Sequence, residues 1–390
     1  MALASAPLAA HGLRPSFDHD DPALCRGIEG SFPLFAAVVN AMRHEGNAGE
    51  IIRATQHGDH CSWFRIGRIE AKDGQGQTRH FFVKYGAGEI GKDLLEMEFH
   101  SQKKLYSMIP DNVPMPIAWG DLGLRKPHHG TFFLTQFVQF DDRRLPDVEA
   151  AGELIARLHS ASIGSRKTFD GLLYHVNGWG SKWQTLFEKI LFQLYHYNTL
   201  SNGTDHEFET ALKETIWYVV PRLLDALEED GRKIEPCFIH GDLWNGNLGH
   251  AIKTSRLYIF DSGGYYAHSE MEFAYWKTQH HAMHENDYCS ADSRHRPPSE
   301  PVNEFEDRII LYTLKPCLLF SSMHPGHITR QRALDNKKHL LQKYRPQDSL
   351  GSPPPVDPVY KEITDGNLKH LLVREYPPEI ATFIDSRRSV

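Results

Sequence analysis

An aspartate, an asparagine and a second aspartate are spaced along one stretch of this chain in a way that suits work on phosphate. In Cys237-Phe-Ile-His240-Gly-Asp242-Leu-Trp244-Asn-Gly-Asn247, the apolar Phe238 and Ile239 read as a strand that stops at His240-Gly241, which puts Asp242 on a turn at the strand end. Asn247 follows five residues later and Asp261 fourteen after that, closing a second apolar run, Leu257-Tyr-Ile-Phe260. Phosphoryl transfer needs such a set: a carboxylate to accept the proton of an attacking hydroxyl, and amide and carboxylate oxygens to hold Mg²⁺ against nucleotide phosphates. Each piece alone fits an ordinary turn; the spacing between two apolar strands is what singles them out.

Such residues work only if other elements bring a cation to the phosphates. Residues 63–70 alternate apolar and polar, a Gly-rich turn follows over 72–77, and Phe81-Phe-Val-Lys84 comes next, which predicts a hairpin whose second strand ends on Lys84. A helix expected over 93–108 carries Glu96 and Glu98, and a strand is expected over 131–140. In that order Lys84 would grip the α- and β-phosphates of ATP and a helix glutamate would hold the lysine as an ion pair; a solvated strand-edge lysine is the plain alternative. Gln136-Phe-Val138-Gln139 reads as a hinge whose backbone pairs with adenine. Further on, helices are expected over 32–43, 145–160, 182–197 and 209–227, and over 303–321 with an interruption near Pro316. Ser269 and Glu272 read as a capping box opening a helix over 270–284.

At 390 residues the chain exceeds one ordinary core. The expected fold class is α+β, two-lobed and protein-kinase-like: an arm over 1–28, a small antiparallel-sheet lobe over 29–138, a larger mainly helical lobe over 139–345, and a Pro-rich linker and tail over 346–390. The net charge of −7 speaks against nucleic acid as a partner. Five scattered cysteines without CxxC spacing indicate a reducing compartment rather than a disulfide framework. The start lacks a basic n-region and no apolar run reaches membrane-spanning length, so a cytoplasmic protein without membrane attachment is expected. Nothing in the sequence speaks to oligomeric state.

His240-Gly-Asp-Leu-Trp-Asn-Gly-Asn247, with Phe260-Asp261 and Tyr266-Ala-His268-Ser-Glu270, resembles the fructosamine kinase (ketosamine-3-kinase) family of the aminoglycoside-phosphotransferase-like group. Phe82-Val-Lys84, Leu95-Glu-Met-Glu98, Leu158-His159, Asn177-Gly-Trp179 and Arg308-Ile-Ile-Leu-Tyr312 extend the likeness over roughly 50–330. The resemblance implies Lys84 as phosphate lysine, Glu98 as its partner, Asp242 as base, and Asn247 and Asp261 as Mg²⁺ ligands. It also implies ATP as phosphoryl donor and a ketosamine, glycated lysine or a small glycated amine, as acceptor. Trp244 would lie against the sugar, whose C–H face suits an indole, with His240 and Trp179 as further substrate candidates; Trp179 and Trp183 also read as core anchors. Phosphate on the third hydroxyl of a ketosamine is a leaving group one carbon from the C2 carbonyl, so its loss frees the amine and deglycates it.

The likeness has gaps. The loop His57-Gly58-Asp-His-Cys61-Ser62 holds one glycine and an acidic residue where the family has a Gly-rich loop followed by cysteine, so phosphate contact falls to backbone amides near Gly58. Cys61 on that loop is a candidate oxidation site or an inert thiol. Leu318-Leu-Phe-Ser-Ser322 replaces a polar stretch of the family. His280 and His284 with Cys289 invite a metal reading, against which stand ordinary helix histidines. The rivals are an aminoglycoside- or choline-type kinase and a pseudokinase or binding protein.

Overall fold

A computed structural model describes residues 17–346 apart from 19, 59–63, 127, 142–143, 166–168, 171–178, 181, 279–280 and 286. The chain divides into two compact units: Met1–Pro146 with Gly246–Gly263, and Asp147–Asn245 with Gly264–Val390.

The first unit is built on an antiparallel five-stranded sheet. After α1 (Ala36–His44) come β1 (Ala48–Gln56), β2 (Arg65–Asp73), β3 (Thr78–Ala87), α2 (Gly88–Met108), β4 (Pro116–Asp121) and β5 (Gly130–Gln136), with strand order β1-β2-β3-β5-β4. The two-residue period of β3 decides what each face does. Phe81, Val83 and Tyr85 enter a core with Phe32, Phe35, Val38 and Met42 of the preceding segment and α1. Phe82 and Lys84 are thereby turned to the opposite face.

In the second unit, α3 (Val148–Ser162) starts where the Asp147 side chain accepts the Ala150 amide, an N-cap that answers an orphan donor. Then come β6 (Phe169–Asp170), β7 (Trp179–Gly180), α4 (Trp183–Asn202), α5 (His206–Glu214), α6 (Val220–Leu224) and β8 (Cys237–Ile239). The chain next contributes the hairpin β9 (Leu248–His250) and β10 (Leu257–Ile259) to the first unit. It resumes the second with β11 (Tyr265–Ala267), antiparallel to β8, and then α7 (Tyr288–His295), α8 (Phe305–Tyr312), α9 (Leu314–Met323) and α10 (Thr329–Tyr344). Among the described residues no helix is long and apolar enough to cross a membrane.

The structure refines several local expectations. The helix expected over 209–227 is α5, a π-turn over Thr215–Val219, then α6, with Pro221 in the first turn of α6, because proline cannot continue an α-helical ladder from upstream. The interruption expected near Pro316 falls at Thr313, and Pro316 sits in the first turn of α9, where a missing N–H leaves no bond unmade. The capping box is absent: Ser269–Ala274 is a short 3₁₀ segment without a side-chain cap, because the Glu272 carboxylate is engaged elsewhere, as described below. The strand expected over 131–140 ends at Gln136, and the tail and arm lie outside the described residues apart from 17–18 and 20–28 of the arm.

Candidate functional site

In the first unit the far face of β3 delivers Lys84 to two carboxylates. Its Nζ donates to Glu98 Oε1 on α2 and to Asp261 Oδ1 just after β10, each at 2.7 Å. Lys84 and Glu98 are 5% and 6% exposed, whereas the Asp261 side chain keeps 31% of its surface, so only the aspartate is open to a ligand. Burial pushes Glu98 up to about 7, with Lys84 pulling it down and Asp261 pushing further up. Burial also disfavours charge on Asp261, but the Lys84 ammonium wins and holds it well below the carboxylate range. For Lys84 itself the two carboxylates outweigh burial and raise its pKa. The arrangement is a protonated lysine beside a firmly ionised Asp261.

Asp261 adopts a left-handed backbone, φ 60°, a conformation an aspartate tolerates at low frequency and which local bonds must support. Ser262 Oγ shares a 2.7 Å hydrogen bond with Ser101 of α2, and Asn112 Nδ2 donates to the Leu257 carbonyl at 2.7 Å. The first ties the end of the hairpin to the helix that carries Glu98, and the second ties the hairpin to the 3₁₀ turn Pro110–Asn112 that follows that helix. Asn247 accepts the Phe260 amide on its carbonyl at 3.1 Å and turns its side-chain Nδ2 toward the Asp261 carbonyl at 3.4 Å. A carboxamide and a carboxylate, both hard oxygen donors, thus lie together in one unit, which suits Mg²⁺. Among the described residues no group of three or more His, Cys, Asp or Glu forms a metal cage.

The hinge candidates are bonded unequally. The Gln136 amide donates to Met115 O and its Oε1 accepts the Met115 amide; Phe137 N donates to His80 O, and Gln139 O accepts Ile252 N. Among the described residues the Val138 amide and carbonyl have no hydrogen-bond partner. Gly58 has φ 74°, a left-handed turn that glycine takes without strain; Cys61 and Asp59 lie outside the described residues. Trp179 is in β7, and its side chain is outside them too.

In the second unit Asp242 stands on a turn pinned from below. Glu272 Oε2 accepts the His240 amide at 2.5 Å and its Oε1 accepts the Gly241 amide at 2.9 Å. Gly241 has φ 78°, and Lys315 Nζ donates to its carbonyl at 2.6 Å. His240 is fully buried, and its Nδ1 accepts the Asp242 amide at 3.4 Å. Burial works against charge on Glu272, yet His159, whose Nε2 is 3.7 Å away, and the His240 amide hold its pKa below the ordinary value. Burial first and the Asp242 carboxylate second raise the Tyr275 phenol well above its ordinary range. Trp244 is half-buried with its ring 5.5 Å from His281, and its indole N–H is without a hydrogen-bond partner among the described residues.

Glu272, Tyr275 and Lys315 were not singled out for this turn by sequence reading. The signal for Lys315 was there: a single charge in Leu314-Lys-Pro-Cys-Leu-Leu-Phe320, which a helix buries only with a partner. Of the histidine–cysteine group, His280 and the His284 side chain lie outside the described residues, and Cys289 is buried with its thiol pushed up to about 12 by desolvation.

Residues 59–342 match the family model for fructosamine kinase. The chain belongs to the fructosamine kinase family. It is 29% identical over 201 residues to a rice chloroplastic protein-ribulosamine 3-kinase, an alignment covering 50% of this chain and 54% of the relative, so the chain spans about half the length of the curated relatives it matches. A Haemophilus somnus protein provisionally named fructosamine-3-kinase superposes with TM-score 0.56 at 16% identity, over 78% of this chain and 96% of the other. An aminoglycoside phosphotransferase crystallised with AMP-PNP and hygromycin B gives TM-score 0.51 at 15% identity, over 78% and 97%. At such identities these likenesses establish the fold, and the α+β kinase-like expectation is met.

Proposed function

We propose that this fructosamine kinase family member is an ATP-dependent kinase that phosphorylates the 3-hydroxyl of ketosamines on protein or small-molecule amines. The observation that carries the reading is the Lys84 ammonium shared at 2.7 Å by Glu98 and Asp261, the pairing on which phosphoryl-transfer folds rely. When bound, Mg·ATP would supply the γ-phosphoryl group; Lys84 would hold the α- and β-phosphates, and Asn247 and Asp261 would hold the metal. Asp242 takes the proton of the substrate hydroxyl as that oxygen bonds phosphorus and the bond from phosphorus to ADP breaks. The indole face and N–H of Trp244 suit a sugar's C–H surface and one of its oxygens. Val138 offers an amide and a carbonyl to the adenine edge. Enolisation toward the amine-bearing C1 then expels the 3-phosphate and leaves an imine, which solvent water hydrolyses to the free amine and a dicarbonyl sugar, so the enzyme deglycates without itself hydrolysing.

The test supplies Mg·ATP with ribosylated lysine, fructosyl-lysine, kanamycin or choline and follows ADP. Turnover of either ketosamine supports the reading. Turnover of kanamycin or choline alone overturns it, and no ADP from any of the four points to a binding protein.

A further inference from the structure

The peptide between Gly241 and Asp242 is gripped at a charged pole that the reaction scheme has not used. Glu272 takes the Gly241 N–H and Lys315 takes its C=O at 2.6 Å, so the glycine immediately before the base is held on both sides by opposite charges. Lys315 is 2% exposed. It rises from the first turn of α9 into a slot walled by Tyr265 and Tyr275, with Nζ 5.2 and 5.5 Å from their ring centres. Tyr275 is also the residue whose phenol the Asp242 carboxylate helps to raise. A buried ammonium costs free energy unless it is paired, and besides Glu272 the carboxylate acting on it is that of Asp242.

We propose that Lys315 is a positioning residue for the base: it fixes the Gly241 carbonyl so that Asp242 is set in its orientation, and it is the counter-charge that keeps the Asp242 carboxylate ready to take a proton. This rests on the assignment of Asp242 as the base. Burial lowers the pKa of Lys315 to about 8 while Asp242 and Glu272 pull it back, so it is mainly charged at neutral pH. The titratable groups that face it are Asp242 on the turn, Glu272 on the 3₁₀ segment, Tyr265 on β11 and Tyr275; on α10, Arg332 acts on Cys317 of the same helix.

The experiment measures kcat, KM for both substrates and the pH profile of kcat/KM for Lys315→Met, Lys315→Gln and Lys315→Arg, beside Asp242→Asn. Lys315→Gln keeps a donor for the Gly241 carbonyl without the charge, and decides the matter if the methionine variant does not fold. The expected result is a kcat at least about tenfold lower in the two neutral variants, KM values close to wild type, an acidic limb moved to higher pH, and partial recovery in Lys315→Arg. A folded neutral variant with wild-type kcat and an unmoved acidic limb, in a background where Asp242→Asn is inactive, overturns the inference and leaves the base assignment standing. An active Asp242→Asn overturns both.

Discussion

Lys84 Nζ donates to Asp261 Oδ1 at 2.7 Å although 177 positions of sequence separate the two residues. With Glu98 on the other side of the same ammonium, two carboxylates share one cation, and they do not share it equally. Asp261 remains ionised, while buried Glu98 is held up at about 7 against an ordinary value of 4.5. A raised carboxyl pKa stabilises the fold fully below the unfolded value and loses that contribution as pH rises through the folded one. Between pH 4.5 and 7, therefore, wild type should lose stability relative to Glu98→Gln, whose side chain mimics the protonated acid at every pH. The differential is on the order of 1–3 kcal/mol, read from urea midpoints of both proteins at pH 5 and 8. A difference that stays constant with pH refutes the assignment.

Asp242→Asn is expected to keep the thermal midpoint and lower kcat by about 10²–10⁴, the range for a positioned general base. The fold should persist because the turn is held through backbone bonds to Glu272 and Lys315 rather than through the Asp242 side chain alone. Near-wild-type turnover removes Asp242 from that role.

Asp261→Ala should abolish phosphoryl transfer at every magnesium concentration, since Asn247 alone cannot hold the ion against phosphate. It also leaves Lys84 paired with the Glu98 carboxylate, so Lys84 should still be charged and the protein folded. Titrating Mg²⁺ into the variant while following ADP checks this; activity restored by excess magnesium would mean that the aspartate only strengthens binding.

Local pattern carried the first unit further than the second. The alternation of β3 and the position of Glu98 on a helix were readable because both are period-two and period-3.6 signals within a few residues, and the structure brings Lys84 and Glu98 together. Asn247 and Asp261 were legible through their spacing at strand ends. The support of the turn was not, since Glu272, Tyr275 and Lys315 reach it from segments 30 or more residues downstream. Glu272 was misread for a physical reason: a Ser-x-x-Glu spacing is a cap only if the glutamate is free to turn back, and here the carboxylate finds two amides of another strand end. The helix expected over 209–227 is interrupted by the π-turn Thr215–Val219 ahead of Pro221, a local change of ladder that periodicity does not report.

Glu272 and Lys315 act on opposite ends of one glycine, so their effects should not add. Glu272→Gln keeps one acceptor for two amides and leaves a buried N–H unmatched, at about 1–3 kcal/mol of stability. It also removes the negative charge facing Lys315. Once the Gly241 peptide is loose at its N–H, a further Lys315→Gln change has less order left to destroy, and the double variant should fall short of the summed losses by about 0.5–3 kcal/mol in stability. The same shortfall should appear in kcat, because both side chains reach Asp242 through the one residue Gly241, Glu272 at its N–H and Lys315 at its C=O. Urea denaturation and steady-state rates of the two single variants and the double complete the cycle. Strict additivity in both would mean that the two residues brace the turn independently and that the Gly241 peptide is not their common target.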